Sequence, residues 1–222
     1  MDVQPRHRQP LQNRVTPFSR LIRTPARGLF MGNRGILHGA DQRLVTDRWR
    51  HKAWIICTLS HTDKKGRRWH RPVMQPGQYT ELFFLDEATA LAAGHRPCAL
   101  CQRARYTAFI AAAGFARAGV LDAALHSART STHFGAVPYP AACLGHLPAG
   151  TIVSRKDARE IAYLWDGQCL HPWQPGGYGA AINAEPADEV GVLTPAITVE
   201  ALRRGYRPVT HPSAANPHAF PK

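Results

Sequence analysis

The chain has 222 residues and a formal net charge of +13 at neutral pH. That length allows one large domain or two small ones, each with a buried core. The sequence contains no run of about 18 apolar residues, as a transmembrane helix requires. Residues 1–14 are polar and basic and lack the apolar core of a signal peptide. We therefore expect a cytoplasmic protein without a membrane partner, and no motif identifies a small-molecule substrate.

The positive charge is concentrated in the first third of the chain. Residues 1–71 contain sixteen Lys and Arg against four Asp and Glu, whereas residues 72–222 contain twelve against eleven. A positive field of this size favours polyanions, either nucleic acid or an anionic membrane surface. The simpler alternative is a solvated basic segment that only aids solubility.

Composition divides the chain into four regions. Residues 1–28 are rich in Arg, Pro and Gln and predict a basic flexible arm. Residues 29–135 predict a module of strands and helices, residues 136–212 a small β-rich unit, and residues 213–222 a loose tail. The expected fold class is therefore α+β.

The module over residues 29–135 begins with strands. Gly32-Asn33 predicts a turn. The β-branched and aromatic segment 53–59 predicts one strand, and residues 81–85 predict a second.

Helices follow these strands. Asp86 is a suitable N-cap for a helix over residues 88–93, which Gly94 would end in a left-handed conformation. Further helices are expected over residues 103–114, where apolar side chains recur at helical spacing, and over residues 120–129.

Short strands are predicted again in the last third of the chain. They cover residues 151–154, 160–165 and 190–194, and Asp166-Gly167 is a hairpin signal. This pattern predicts the small β-rich unit.

An internal repeat links the two parts of the chain. Residues 88–98 align without gaps on residues 199–209, and five of the eleven positions are identical. The repeat predicts a second helix that ends at a glycine before an Arg-Pro pair. Chance similarity between two common helix endings is the alternative.

The cysteines indicate a metal site. Cys98 and Cys101 form a C-x2-C pair in an odd set of five cysteines, which in a reducing compartment indicates metal more than disulfides. Redox proteins share this spacing, but no βαβ pattern precedes the pair here.

A structural zinc ion requires four nitrogen or sulfur ligands. Cys57 and His61, in C-x3-H spacing, are the best candidates for the second pair. A buried core role for Cys57 is the alternative, and His70 or His95 could replace His61 as the fourth ligand.

The segment from Glu81 to Cys101 contains paired Phe in a strand, an Ala-rich helix, and then Gly-His-Arg-Pro-Cys with a second Cys three positions on. This segment resembles the metal-binding domain of the Ada DNA-repair proteins. The resemblance covers roughly residues 50–105. It implies a zinc-stabilised strand/helix module with Cys57, His61, Cys98 and Cys101 as ligands.

The same resemblance raises the question of alkyl transfer. In that family the first cysteine accepts a methyl group from a DNA phosphotriester, and the matching position is Cys57. His61 stands where the family has a second cysteine, and the loop between the ligand pairs is longer. Three thiolates and one neutral imidazole leave the site at −1 rather than −2, so each sulfur should be less nucleophilic. We therefore expect a structural zinc site.

Nucleic-acid contacts are expected from cations interleaved with tryptophans. Basic side chains hold phosphates, and aromatic rings can stack on unpaired bases. Trp54 is expected in the strand core, whereas the loop over residues 64–71 is the strongest candidate for phosphate contact. The candidate cations are Arg48, Arg50, Lys52, Lys64, Lys65, Arg67, Arg68 and Arg71.

These features together predict a zinc-stabilised nucleic-acid-binding protein, with DNA as the favoured partner and the metal in a structural role. One alternative is an alkyl-acceptor DNA-repair enzyme that uses zinc-bound Cys57. The other is a protein-interaction module. The scattered histidines form no recognisable hydrolase motif.

Overall fold

The computed structural model describes residues 9–60 and 72–215, which form two sheets and four helices. The predicted α+β class is therefore confirmed. The helices are α1 (Glu87–Ala92), α2 (Arg103–Ala112), α3 (Ala118–Thr132) and α4 (Ala196–Arg203). None of the helices in these ranges is long and apolar enough to cross a membrane.

The first sheet combines antiparallel and parallel pairing. Its strands are β1 (Arg14–Val15), β2 (Leu21–Ile22), β3 (Phe30–Asn33), β4 (Ile55–Thr58), β5 (Leu82–Phe84) and β6 (Arg96–Pro97). Their order across the sheet is β2-β1-β5-β3-β4-β6. β1 runs parallel to β5 and β4 runs parallel to β6, whereas the other pairs are antiparallel. The two predicted strands, β4 and β5, are confirmed.

The flexible arm expected over residues 1–28 is wrong from residue 9 onward, because this segment supplies β1 and β2. Val15 is 1% exposed in the first core. The Asn13 amide donates to the carbonyl of Glu81 at 3.0 Å, and the Ser19 hydroxyl donates to the carbonyl of Ala93 at 3.2 Å. A few apolar residues and these hydrogen bonds fix a segment whose composition resembles that of a disordered one.

The turn expected at Gly32-Asn33 is also wrong, since both residues belong to β3. A Cβ atom at Gly32 would lie 2.0 Å from the carbonyl oxygen of Ile55 on β4. The glycine therefore permits close pairing of two strands. The chain turns two residues later, at Gly35, where φ is +104°.

Helix α1 lies between the two sheets, and all six of its residues are buried. Ala90 and Leu91 pack into the first core, whereas Ala88 and Ala92 pack into the second. The predicted N-cap is confirmed, because the Asp86 carboxylate accepts a hydrogen bond from the backbone of the first helical turn.

The internal repeat corresponds to two matching helix ends. Gly94 after α1 and Gly205 after α4 both have positive φ, +82° and +98°. In both places the next residue closes the turn with a backbone hydrogen bond of 3.0 Å, from His95 to Ala90 and from Tyr206 to Ala201.

The last helix does not belong to the second sheet's core. Ala201 and Leu202 of α4 pack with Phe109 of α2 and Leu125 of α3 in the first core. The range 136–212, expected to be a β-rich unit, therefore contributes a helix to the first layer as well as strands to the second.

The second sheet is antiparallel throughout. Its strands are β7 (Ala141–Cys143), β8 (Ile152–Arg155), β9 (Ala158–Trp165), β10 (Cys169–Gln174), β11 (Gly177–Tyr178), β12 (Ile182–Asn183) and β13 (Glu189–Val192). Their order is β11-β10-β9-β8-β13-β7, with β12 also paired to β10. The hairpin predicted at Asp166-Gly167 joins β9 to β10, and Gly167 has φ +103°.

The first residues of the expected loose tail are docked. Ser213 is 1% exposed, and its hydroxyl accepts a hydrogen bond from the backbone of Tyr178 at 2.7 Å. Residues 216–222 lie outside the described part of the chain.

Candidate metal centre

A parallel strand pair brings the first two cysteines together. In the β4–β6 ladder Ile56 is opposite Pro97, and the backbone of Cys98 donates to the carbonyl of Ile56 at 2.9 Å. Cys57 follows Ile56 in β4, and Cys98 follows Pro97 of β6. Both cysteines therefore lie at the same end of this parallel strand pair.

A tight turn then carries Cys101 back toward these two residues. The backbone of Leu100 donates to the Cys98 sulfur at 3.4 Å, and the backbone of Gln102 donates to the Cys98 carbonyl at 3.1 Å. The Gln102 side-chain amide donates to the carbonyl of Ile56 at 2.8 Å, which fastens the turn to β4 just before α2 begins.

The three cysteine sulfurs form one cluster. The Sγ atoms of Cys57, Cys98 and Cys101 all lie within 4.8 Å of one another. Tetrahedral coordination at a Zn–S distance near 2.3 Å would place sulfurs about 3.8 Å apart. Cys98 is 8% exposed and the other two are half-buried. The cluster could therefore hold a metal ion.

The three cysteine sulfurs do not all ionise readily without a cation. Hydrogen bonds from Cys101 and Cys57 lower the pKa of Cys98, so its sulfur is the most readily ionised. Hydrogen bonding to Cys101 and Cys98, together with burial, raises the pKa of Cys57 far above its usual value. Three thiolates at this spacing repel one another, and a divalent metal ion would remove that repulsion.

The fourth ligand is not identified by the described residues. His61 and the alternative His70 both lie outside them. The other alternative, His95, does not belong to the described cluster. Its Nε2 accepts a hydrogen bond from Arg34 at 3.3 Å, and its ring packs against Trp54 and Phe84 in the core.

A buried ion pair fixes the strand that leads to Cys98. The Arg96 guanidinium binds both carboxylate oxygens of Asp122 in α3, at 2.8 and 2.9 Å. Both side chains are at most 10% exposed. This bidentate contact ties β6 to the helical layer and so limits movement of the cysteine turn.

An apolar cleft of about 340 Å³ opens beside the sulfurs. Besides the three cysteines, its walls include Met31, Ile55, Leu59, Phe83 and Leu100. A second cavity of about 300 Å³ shares Leu59 and Phe83 with it and is bordered by cations. Cys57 therefore faces an apolar space that leads toward a basic one.

Arg14 and Arg27 are the cations of that second cavity. Arg14 lies over the Phe83 ring, with its guanidinium carbon 4.7 Å from the ring centre. Burial and the nearby charge of Arg27 lower the pKa of Arg14. Neither arginine was among the predicted contacts, because both fall in the segment interpreted as an arm. Nothing in their charge indicated that this segment folds back beside the cleft at the cysteines.

The predicted nucleic-acid contacts are described only in part. Arg48, Arg50 and Lys52 are exposed, and Arg48 and Lys52 form no ion pair with any described residue. Trp49 is not free to stack on a base, because its ring packs against Trp54, His126 and Phe134. The remaining predicted cations, Lys64, Lys65, Arg67, Arg68 and Arg71, lie outside the described residues.

Cys143 and Cys169 are free and half-buried, and neither joins the described sulfur cluster. Comparisons of the chain with known protein families, curated proteins and solved structures found no match.

Proposed function

We propose that the protein is a zinc-stabilised nucleic-acid-binding protein with an Ada-like metal module. The convergence of the Cys57, Cys98 and Cys101 sulfurs within 4.8 Å carries this proposal. Three sulfur donors favour zinc over the oxygen-seeking cations Mg²⁺ and Ca²⁺. Zinc in such a site contributes directly to folding, because the unfolded chain holds no preformed site.

His61 completes the proposed ligand set. It follows Cys57 by four residues, a separation that an extended chain spans in at most about 14 Å. A neutral imidazole nitrogen and three thiolates form a closed Cys3His set, which is a common structural zinc site. The metal would then join β4 to the turn before α2 without an open position for substrate.

Exposed and cavity-lining cations support nucleic acid as the partner. Arg48 and Lys52 are exposed on the segment that leads into β4, and Arg14 and Arg27 border the cavity beyond the sulfur cleft. Phosphate groups of a nucleic acid would neutralise these charges and release counterions. The basic sequence of residues 64–71 lies between the two proposed ligand pairs, Cys57/His61 and Cys98/Cys101, and adds to the same charge.

Salt-dependent binding of a duplex and of a single strand tests this function. Fluorescence anisotropy at several salt concentrations should show an affinity that falls steeply as salt rises. Replacing Arg48 and Lys52 together by Gln should reduce the slope of log K against log salt by about 2.

The matched control removes two charges elsewhere, by Arg117→Gln with Arg203→Gln, and should leave that slope unchanged. Binding that does not vary with salt would contradict a nucleic-acid function. It would favour the alternative of a protein-interaction module.

Exposure of Cys57 to the apolar cleft favours a second candidate, alkyl transfer. In that reaction the Cys57 sulfur would attack the methyl carbon of a phosphotriester, and the C–O bond would break to leave a phosphodiester. Mass spectrometry after incubation with methylated DNA would show one added methylene on the peptide containing Cys57. An unmodified peptide would leave the metal with a structural role alone.

A further inference from the structure

A separate cavity of about 490 Å³ lies against the second sheet, near the carboxyl end of α3. Ser154 and Gly191 line it from the sheet, and Phe18, His133 and Tyr139 line it from the opposite side. No described residue borders both this cavity and the cleft at the sulfurs. Its volume falls within the range of about 300–1,000 Å³ that is typical of small-molecule sites.

The floor of this cavity contains a hydroxyl that opens into it. Ser154 is 5% exposed, and its Oγ makes no hydrogen bond in the part of the chain that the structure describes. Gly191 is its register partner on β13. A Cβ at Gly191 would lie 3.0 Å from Ser154 Oγ, so the glycine leaves the hydroxyl open to the cavity. A hydroxyl that opens into a cavity is available to donate or accept a hydrogen bond with a ligand.

The wall of the cavity offers a hydrogen-bond acceptor, the hydroxyl oxygen of Tyr139. His133 Nε2 lies 2.9 Å from the carbonyl oxygen of Ala92, so Nε2 must carry the proton. His133 Nδ1 therefore accepts the hydrogen bond from the Tyr139 hydroxyl, at 2.8 Å. The Tyr139 oxygen can still accept a hydrogen bond from a ligand. Phe18 packs edge-on against Tyr139 at 6.2 Å, which adds an aromatic face.

The rim is cationic, with one guanidinium left unpaired. Arg155 is bound by Asp157 and Lys156 by Glu189, each at distances of 2.8 to 3.0 Å. Arg159, in contrast, forms no ion pair with any described residue and is exposed.

The remaining charges at the rim are held only loosely. Arg20 and Glu160 are 3.4 Å apart, with side chains 68% and 80% exposed. An exposed pair of this kind contributes little and can exchange for an anionic ligand.

We propose that this cavity binds a nucleotide unit, either a free mononucleotide or the phosphorylated end of a strand. The phosphate would pair with Arg159, since a guanidinium binds phosphate oxygens in a bidentate manner. The base would pack against Phe18 and Tyr139, and its polar edge would meet Ser154 Oγ and the Tyr139 oxygen. A phosphate alone would use only the rim, whereas a nucleoside alone would use only the floor and wall.

Calorimetric titration with adenosine and uridine 5′-monophosphates tests the proposal. At least one should bind saturably and more tightly than inorganic phosphate and than the matching nucleoside. Arg159→Gln should weaken nucleotide binding at least tenfold without changing nucleoside binding. Ser154→Ala should weaken both, while Arg117→Gln, an exposed charge elsewhere, should change neither.

Titration with a 5′-phosphorylated dinucleotide distinguishes a free mononucleotide from the end of a strand as the ligand. Tighter binding than the mononucleotide indicates a strand end, and equal or weaker binding indicates a free nucleotide. The proposal is overturned if neither nucleotide binds saturably, if inorganic phosphate binds equally well, or if Arg159→Gln leaves nucleotide affinity unchanged. These outcomes do not depend on zinc or on the salt-dependent binding described above, because the two sites share no described residue.

Discussion

The guanidinium carbon of Arg129 lies 3.9 Å from the centre of the Trp54 ring, and that of Arg34 lies 4.1 Å from the same ring. All three side chains are essentially buried. Arg34 donates to the Ser19 carbonyl and hydroxyl, and Arg129 donates to the Gly94 carbonyl at 2.8 Å. Part of the chain's positive charge is therefore internal and structural.

Replacing Arg129 by Lys should destabilise the protein by about 2–3 kcal/mol. A lysine cannot reproduce the planar fork that reaches the carbonyls of Gly94 and Lys52 while lying on Trp54. Urea unfolding measures the change in free energy. Arg117→Lys, at an exposed position, should stay within about 0.5 kcal/mol of the wild type. Equal stabilities of the two variants would contradict a structural role for Arg129.

Glu87 should be one of the buried positions at which substitution most strongly destabilises the protein. It is fully buried and accepts hydrogen bonds from Arg105, from the Tyr206 hydroxyl and from the backbone of Val209. Glu87→Gln would remove the charged acceptor of these hydrogen bonds, and we expect a loss of about 1.5–3 kcal/mol.

Glu200→Gln is the matched control. Glu200 pairs with Arg203 and Arg204 on the exposed face of α4, where solvent screening leaves such pairs little effect on stability. Thermal or urea unfolding of both variants compares the two sites. A loss at Glu87 no larger than that at Glu200 would show that the buried contacts contribute little.

Acid should destabilise the fold through His133. Burial lowers its pKa from 6.5 to about 4. As the pH falls below 6.5 the unfolded chain takes up a proton that the folded chain does not. Stability present at neutral pH is therefore lost progressively down to about pH 4, by up to about 3 kcal/mol.

His133→Gln should reduce this pH dependence, because an amide does not titrate. It should not abolish it, since burial also lowers the pKa of His95 well below its usual value. Urea unfolding at pH 7 and pH 4.5 provides the comparison. An unchanged difference between the two pH values in the variant would rule out His133 as a major contributor.

Gln102 should influence metal affinity without being a ligand. Its side-chain amide holds the carbonyl of Ile56, the residue before Cys57. Gln102→Ala would free the cysteine turn from β4, and loss of such supporting contacts typically lowers metal affinity about 10-fold or more. Chelator competition measures zinc affinity, and Arg103→Ala, on the next residue, should leave it unchanged. If Gln102→Ala binds zinc as tightly as the wild type, this hydrogen bond does not support the metal site.

The local signals along the chain predicted much of the fold. Asp86 and Gly94 marked both ends of α1, and the repeat at residues 199–209 predicted the end of α4. These features depend on backbone conformation over a few residues, which the residue types themselves specify.

Long-range pairing was not predictable in the same way. Arg14 joins the sheet beside Phe83, and no local pattern connects residues so far apart in the sequence. The charge count over residues 1–71 also included Arg34, whose guanidinium packs inside on Trp54. Burial of an arginine depends on partners that the fold alone brings together.

At the candidate site, the C-x2-C spacing and the strand before it predicted Cys57, Cys98 and Cys101 as candidate metal ligands. The meeting of the two segments follows from the parallel β4–β6 pair, and their sulfurs do cluster. The ligand His61 remains a prediction, because it lies outside the described residues.

Metal analysis of the purified protein tests the central claim most directly. The wild type should contain one zinc ion per chain, and Cys57→Ser and Cys98→Ser should lose most of it. Cys169→Ser, which replaces a half-buried cysteine outside the described cluster, should retain it in full. A wild-type protein without stoichiometric zinc after zinc is supplied during expression, or a Cys57→Ser variant that keeps all of its zinc, would contradict the account.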